Sequence, residues 1–88
     1  MNHPDAAVRV HAVTGLRALD AVTRDGLAPL VDDPSSAVVR AATRALLPHA
    51  AGFSREWLSV RDAPDRPRAV RVAARRLLRA AGYTRPTG

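Results

Sequence analysis

The chain has 88 residues and a mass of 9.4 kDa, which limits it to one small domain with a simple core. Alanine and arginine fill 18 and 14 positions, while lysine, isoleucine and cysteine are absent; against eight acids the net charge is +6. Without cysteine there is no disulfide framework, thiolate–zinc site or cysteine nucleophile, no apolar run nears the roughly 18 residues of a membrane span, and no signal-peptide core opens the chain. These exclusions leave the expectation of a cytoplasmic, all-α domain over 1–82 with a tail at 83–88.

The first expected element is a helix over 5–19, entered through His3-Pro4-Asp5. At 100° per residue, Val8, His11, Ala12, Gly15, Leu16 and Leu19 share one arc, with His11 packed at its edge. A short helix over 24–31 follows, capped by Thr23, apolar through Leu27, Leu30 and Val31, and bent by Pro29. Asp33-Pro34 then signals the start of a long helix over 36–47: the carboxylate serves as N-cap and the proline lacks a donor the first turn cannot use. That helix presents Val38, Ala41, Ala42, Ala45 and Leu46, and stops at Pro48 and Gly52. Ser54 caps a second short helix over 55–61, where Trp57 is expected in the core beside Leu58. The last helix, 67–81, follows Asp65-Arg66-Pro67 and ends at Gly82. It gathers Val70, Ala73, Ala74, Leu77, Leu78 and Ala81 into about 140° of arc.

The long helices repeat. Residues 7–18 and 69–80 are identical at eight of twelve positions, an offset of 62. Asp33, Ala37, Val38, Ala41, Ala42, Arg44 and Leu46 recur 32 residues later, whereas an offset of 31 aligns Arg40 with Arg71 and Leu47 with Leu78. Both offsets stay open at this point. Thr23 and Ser54, like Leu27 and Leu58, lie 31 apart, so the short helices repeat too.

The run Asp33-Pro34-Ser35-Ser36-Ala37-Val38-Val39-Arg40-Ala41-Ala42-Thr43-Arg44-Ala45-Leu46 resembles a HEAT repeat of the short bilin-lyase-like class, and Val8-Arg9 and Val70-Arg71 keep that family's Val-Arg pair. The resemblance spans about residues 3–82. It implies a right-handed α-solenoid of stacked antiparallel helical hairpins, about five helices in all. It also implies an aspartate–arginine ladder between repeats, for which only Asp65 and Arg71 fit. Relatives of this kind act as protein scaffolds, bilin-lyase subunits or DNA-binding glycosylase units, so the fold alone selects no function.

The charge distribution carries the functional expectation. Residues 1–65 hold seven arginines and eight acids, while residues 66–88 hold seven arginines and no acid. On the last helix Arg68, Arg75 and Arg79 fall within about 40°, flanked by Arg71 and Arg76. Arg9 and Arg17, then Arg40 and Arg44, occupy the matching arcs of the other long helices, which would make one basic stripe. Guanidinium groups bind carboxylates and phosphates bidentately. A solvated face in an arginine-rich composition is the competing reading. The partner-binding candidates are Arg40, Arg44, Arg68, Arg71, Arg75 and Arg79. Their expected partner is an acidic protein surface, with a nucleic-acid backbone as the alternative and self-association through apolar helical ends as a third. No metal, cofactor or catalytic group is expected: Asp32-Asp33 reads as a turn, and His3, His11 and His49 lack metal-ligand spacing.

Overall fold

The computed structural model describes residues 5–83. Its order is α1 (Ala6–Ala18), α2 (Arg24–Leu27), a 3-10 segment (Ala28–Asp32), α3 (Ser36–Leu46), a second 3-10 segment (Leu47–Gly52), α4 (Arg55–Arg61) and α5 (Arg68–Ala80). No strand occurs among the described residues. The two prolines explain the 3-10 segments. Pro29 and Pro48 each enter the first turn of one, where a missing N–H and the ring's clash with the preceding turn break α geometry.

Start signals read from sequence divide into two groups. Thr23 Oγ1 accepts from the Gly26 N–H and Ser54 Oγ from the Trp57 N–H, each at 3.0 Å, as the expected N-caps. Asp5 also caps, its Oδ1 accepting from the Ala7 N–H at 2.9 Å. Asp33 does not: the N-cap of α3 is Ser35, and Asp33 instead accepts the Ser35 N–H at 2.9 Å. His3 and residues 84–88 of the expected tail lie outside the described residues. Tyr83, assigned to that tail, is held: its hydroxyl donates to the Phe53 carbonyl at 2.9 Å, and Arg55 lies over its ring.

The ends of α1 and α5 match at an offset of 62. After α5, Gly82 adopts φ +81°, with Tyr83 N–H donating to Leu78 O and Gly82 N–H to Arg79 O. After α1, Asp20 adopts φ +53°, and the Ala21 and Asp20 N–H groups donate to Leu16 O and Arg17 O. Both are left-handed caps that satisfy the last free carbonyls; glycine suits the second without strain, and aspartate tolerates the first.

Helix α3 is the centre of the molecule, packed against α1 on one flank and α5 on the other. The short elements lie beneath: the 28–32 segment against α3, and α4 and the 47–52 segment against α5. The thinnest dimension, 16 Å, accommodates two helical layers at a spacing of about 8–10 Å. Between them lie Leu27, Leu30, Val31, Val38, Val39, Leu46, Leu58, Val70 and Leu77, all buried. Of the six buried residues on α3, Val39, Ala42, Thr43 and Leu46 become the buried Val70, Ala73, Ala74 and Leu77 of α5 when 31 is added, whereas adding 32 carries Val38, Ala42 and Ala45 onto Val70, Ala74 and Leu77. Burial thus matches all four covered positions of α5 at 31 and three of them at 32, which favours the shorter offset. Thr43 is tolerated inside because its hydroxyl donates to Val39 O at 2.6 Å.

Helix α1 departs from expectation. Val8 and Leu19 are 43% and 79% exposed, His11 and Gly15 are exposed, and Val13 is the buried residue, with Ala6, Val10 and Leu16 packed beside it. The buried face is turned by about 130° from the expected arc. Apolar residues occur all round this helix, and it has a long-helix neighbour on one side only. The packing against α3 therefore decides which stripe is covered. Because Leu19 touches so little, Leu19→Ser should leave stability within about 0.5 kcal/mol of the parent, which a melting curve will check.

Trp57 is half-buried rather than core. Its ring lies 4.8 Å from that of Phe53 on one side, and Arg61 stands 3.5 Å from its centroid on the other. Arg61 is fixed there by Asp32 at 2.9 Å and by the Trp57 carbonyl at 3.0 Å. Arg61→Ala should therefore increase iodide quenching of the single tryptophan and cost about 1 kcal/mol. Unchanged quenching would show that the guanidinium does not cover the indole.

Candidate binding groove

The six arginines singled out from sequence do not form one stripe. Arg40 on α3 and Arg68 on α5 stand on the rim of a groove between these helices, together with Arg76. Its volume is about 290 Å³, and its walls and floor are Ser36, Val39, Thr43, Ala69, Val72 and Ala73. A second depression, bounded by Ala37, Arg40, Ala41, Arg44 and Arg76, shares Arg40 and Arg76 with the first, so the two adjoin. Arg44 thereby joins the same surface.

The local sequence explains the arrangement. Small residues at Ala37, Ala41, Ala69 and Ala73 leave space between α3 and α5, while the arginines above them reach solvent from the same flank. Val39, Thr43 and Ala73 at the floor are 1–2% exposed, and Val72 at the lip is 41% exposed. No acidic residue lines either depression. Among the described residues Arg40, Arg44, Arg68 and Arg76 make no ion pair or side-chain hydrogen bond.

The other candidates lie elsewhere. Arg75 and Arg79 border a depression on the α4 side with Arg55, Ser59, Asp62, Leu78 and Tyr83, and Arg75 Nε donates to Asp62 Oδ1 at 2.8 Å. Arg71 is half-buried, and its Nε is enclosed without a hydrogen-bond partner. It forms no ladder with Asp65, which is exposed. The buried aspartate–arginine pair belongs instead to Arg9 and Asp33, whose side chains are 11% and 7% exposed and meet at 2.8 and 3.0 Å. This takes Arg9 out of any basic stripe; Arg17 stays exposed.

Burial is the largest influence on Asp33 and would raise its pKa, but it is outweighed. The Arg9 hydrogen bonds, the Ser35 N–H and the attraction of the guanidinium together hold the carboxyl below its ordinary value. Asp32, the other half of the acidic pair, accepts Arg61 at 2.9 Å and approaches Arg66 at 4.0 Å. Both aspartates thus bind this chain's own arginines across long sequence separations. His11 and His49 are exposed, and no group of three His, Asp or Glu among the described residues is placed to hold a metal ion. Nor is any helix among those residues long and apolar enough to cross a membrane.

Arg76 is the groove residue that the sequence reading left on the margin. Its signal was present: it lies on the same flank of α5 as Val72 and Ala69, turned about 80° from Arg68. The chain is thus an all-helical domain with a basic, apolar-floored groove between two of its long helices. Compared with protein families, curated proteins and solved structures, it matches none.

Proposed function

We propose that the chain is a HEAT-like helical-repeat module, an α-solenoid of about two and a half hairpins. On this reading it serves in the cytoplasm as a non-enzymatic binding or scaffolding unit for an acidic protein surface. The recurrence of burial at 31 residues and of left-handed caps at 62 supports the architecture. One observation carries the function: four arginines without internal partners among the described residues border two adjoining depressions that no acid lines. Keeping such charges unpaired and close together brings mutual repulsion, which an incoming carboxylate relieves.

Sequence-independent binding of a nucleic-acid backbone is the second reading. The further depression lined by Arg55 and Arg79, beside the Arg75–Asp62 pair, favours it, because a long polyanion could use both. Fluorescence anisotropy with labelled poly-glutamate and labelled duplex DNA, each titrated over a range of salt, separates the two. The protein-partner reading expects the carboxylate polymer to compete DNA off the protein. Tight DNA binding that poly-glutamate cannot displace would replace it with the nucleic-acid reading. A third reading, a structural subunit of a larger solenoid, rests on the exposed Val8 and Leu19 of α1 and predicts binding of neither polymer.

A further inference from the structure

Resting on the acidic-partner reading, we infer that the α3–α5 groove takes a short acidic protein segment anchored by one aliphatic side chain. That side chain sits between Val39, Ala69, Val72 and Ala73, and its flanking carboxylates reach Arg40, Arg68 and Arg76. The floor is the distinguishing feature. Thr43 spends its only hydroxyl hydrogen on the Val39 carbonyl, so apart from Ser36 at one end the lining presents methyl groups. A sugar–phosphate backbone would cover those methyls with polar atoms and gain nothing from them. An aliphatic side chain removes them from water while leaving its neighbours' carboxylates at the rim, where the guanidiniums are.

Size agrees. The groove, at about 290 Å³, falls just below the range of roughly 300–1,000 Å³ usual for small-molecule sites. It has room for one large aliphatic side chain. The rim also sets the sign of the partner: three arginines and no acid demand carboxylates on both sides of the anchor. The aromatic stacking that marks single-strand recognition is absent from this lining.

The test uses fluorescein-labelled peptides of two leucines flanked on each side by glutamates, the same peptides with alanine for leucine, and duplex DNA of comparable charge. The leucine peptide should bind at least about tenfold more tightly than its alanine counterpart. This preference should vanish in Val72→Asn, a substitution at a 41% exposed position whose folding a melting curve will verify. Arg40→Glu with Arg76→Glu should weaken both peptides. Equal binding of the two peptides, or a leucine preference that survives Val72→Asn, would overturn the anchor while leaving the acidic-partner reading in place. Binding of DNA but of neither peptide would overturn both, and so would binding of none of the three.

Discussion

Replacing Asp33 by alanine should destabilise the protein by about 3 kcal/mol, because it removes the carboxylate that the Arg9 guanidinium meets in a site only 11% exposed. The Ser35 N–H at the start of α3 loses its acceptor in the same step. In a domain of this size each kcal/mol moves the midpoint by about 4–8 °C, so the fall should be roughly 12–24 °C, read directly from a thermal melt. The contrast is Asp65→Ala. Asp65 is exposed, and its loss should change stability by less than about 0.5 kcal/mol. Equal effects at the two positions would show that the Arg9–Asp33 pair does not fasten α1 to α3.

The acid limb of stability should report the same pair. Because the folded carboxyl has a lowered pKa, the folded state binds the proton less readily than the unfolded chain. The stabilisation is therefore fully present above the unfolded value of about 3.9 and is lost as pH falls through the lower folded value. Asp33→Asn, which cannot titrate, should flatten the fall in stability below about pH 4 while lowering stability near neutrality. An acid limb unchanged in that variant would assign the pH dependence to other carboxylates.

The Arg9–Asp33 pair is not legible in the sequence. Its members are separated by 24 residues, and periodicity within one helix says nothing about which neighbour an outward arginine will meet. Helix α5 was legible because its apolar residues are gathered on one side; on α3 the spacing found Val38, Ala42, Ala45 and Leu46 but not the buried Val39 and Thr43, which its contacts with α5 and with the 28–32 segment cover. Helix α1 was not legible. Val8, Val10, Val13, Leu16 and Leu19 point in several directions, and the contact with α3 and the Arg9–Asp33 pair select Val13 for burial. The 31-residue register had the same limit: Ala-rich helices align almost as well at 32, and the buried positions, with the caps that recur at twice 31, favour the shorter offset. The groove shows the problem once more. Arg40 and Arg68 were found on their own helices, but which flank of α3 faces which flank of α5 is a property of packing. That relation brings Arg76 in and leaves Arg71, Arg75 and Arg79 outside.

Charge reversal turns this division into the strongest functional prediction. Arg40→Glu with Arg76→Glu places two carboxylates where both depressions meet. Arg17→Glu with Arg79→Glu changes the net charge equally but lies away from the groove. If attraction depended only on overall charge, the two double variants would weaken poly-glutamate binding alike, most nearly at about 0.01 M salt, where a Debye length of about 30 Å spans most of the molecule. A groove that gathers its arginines around an apolar floor makes a different demand. There the incoming carboxylates are partly desolvated, and repulsion at close range costs several kcal/mol. The first variant should therefore lose about 100-fold in affinity for poly-glutamate, equivalent to roughly 2.7 kcal/mol, and the second less than about fivefold. All four arginines concerned are exposed, so neither variant should lose more than about 0.5 kcal/mol of stability. Equal losses of affinity would mean that the arginines act as a diffuse cloud of charge and that the space between α3 and α5 binds nothing.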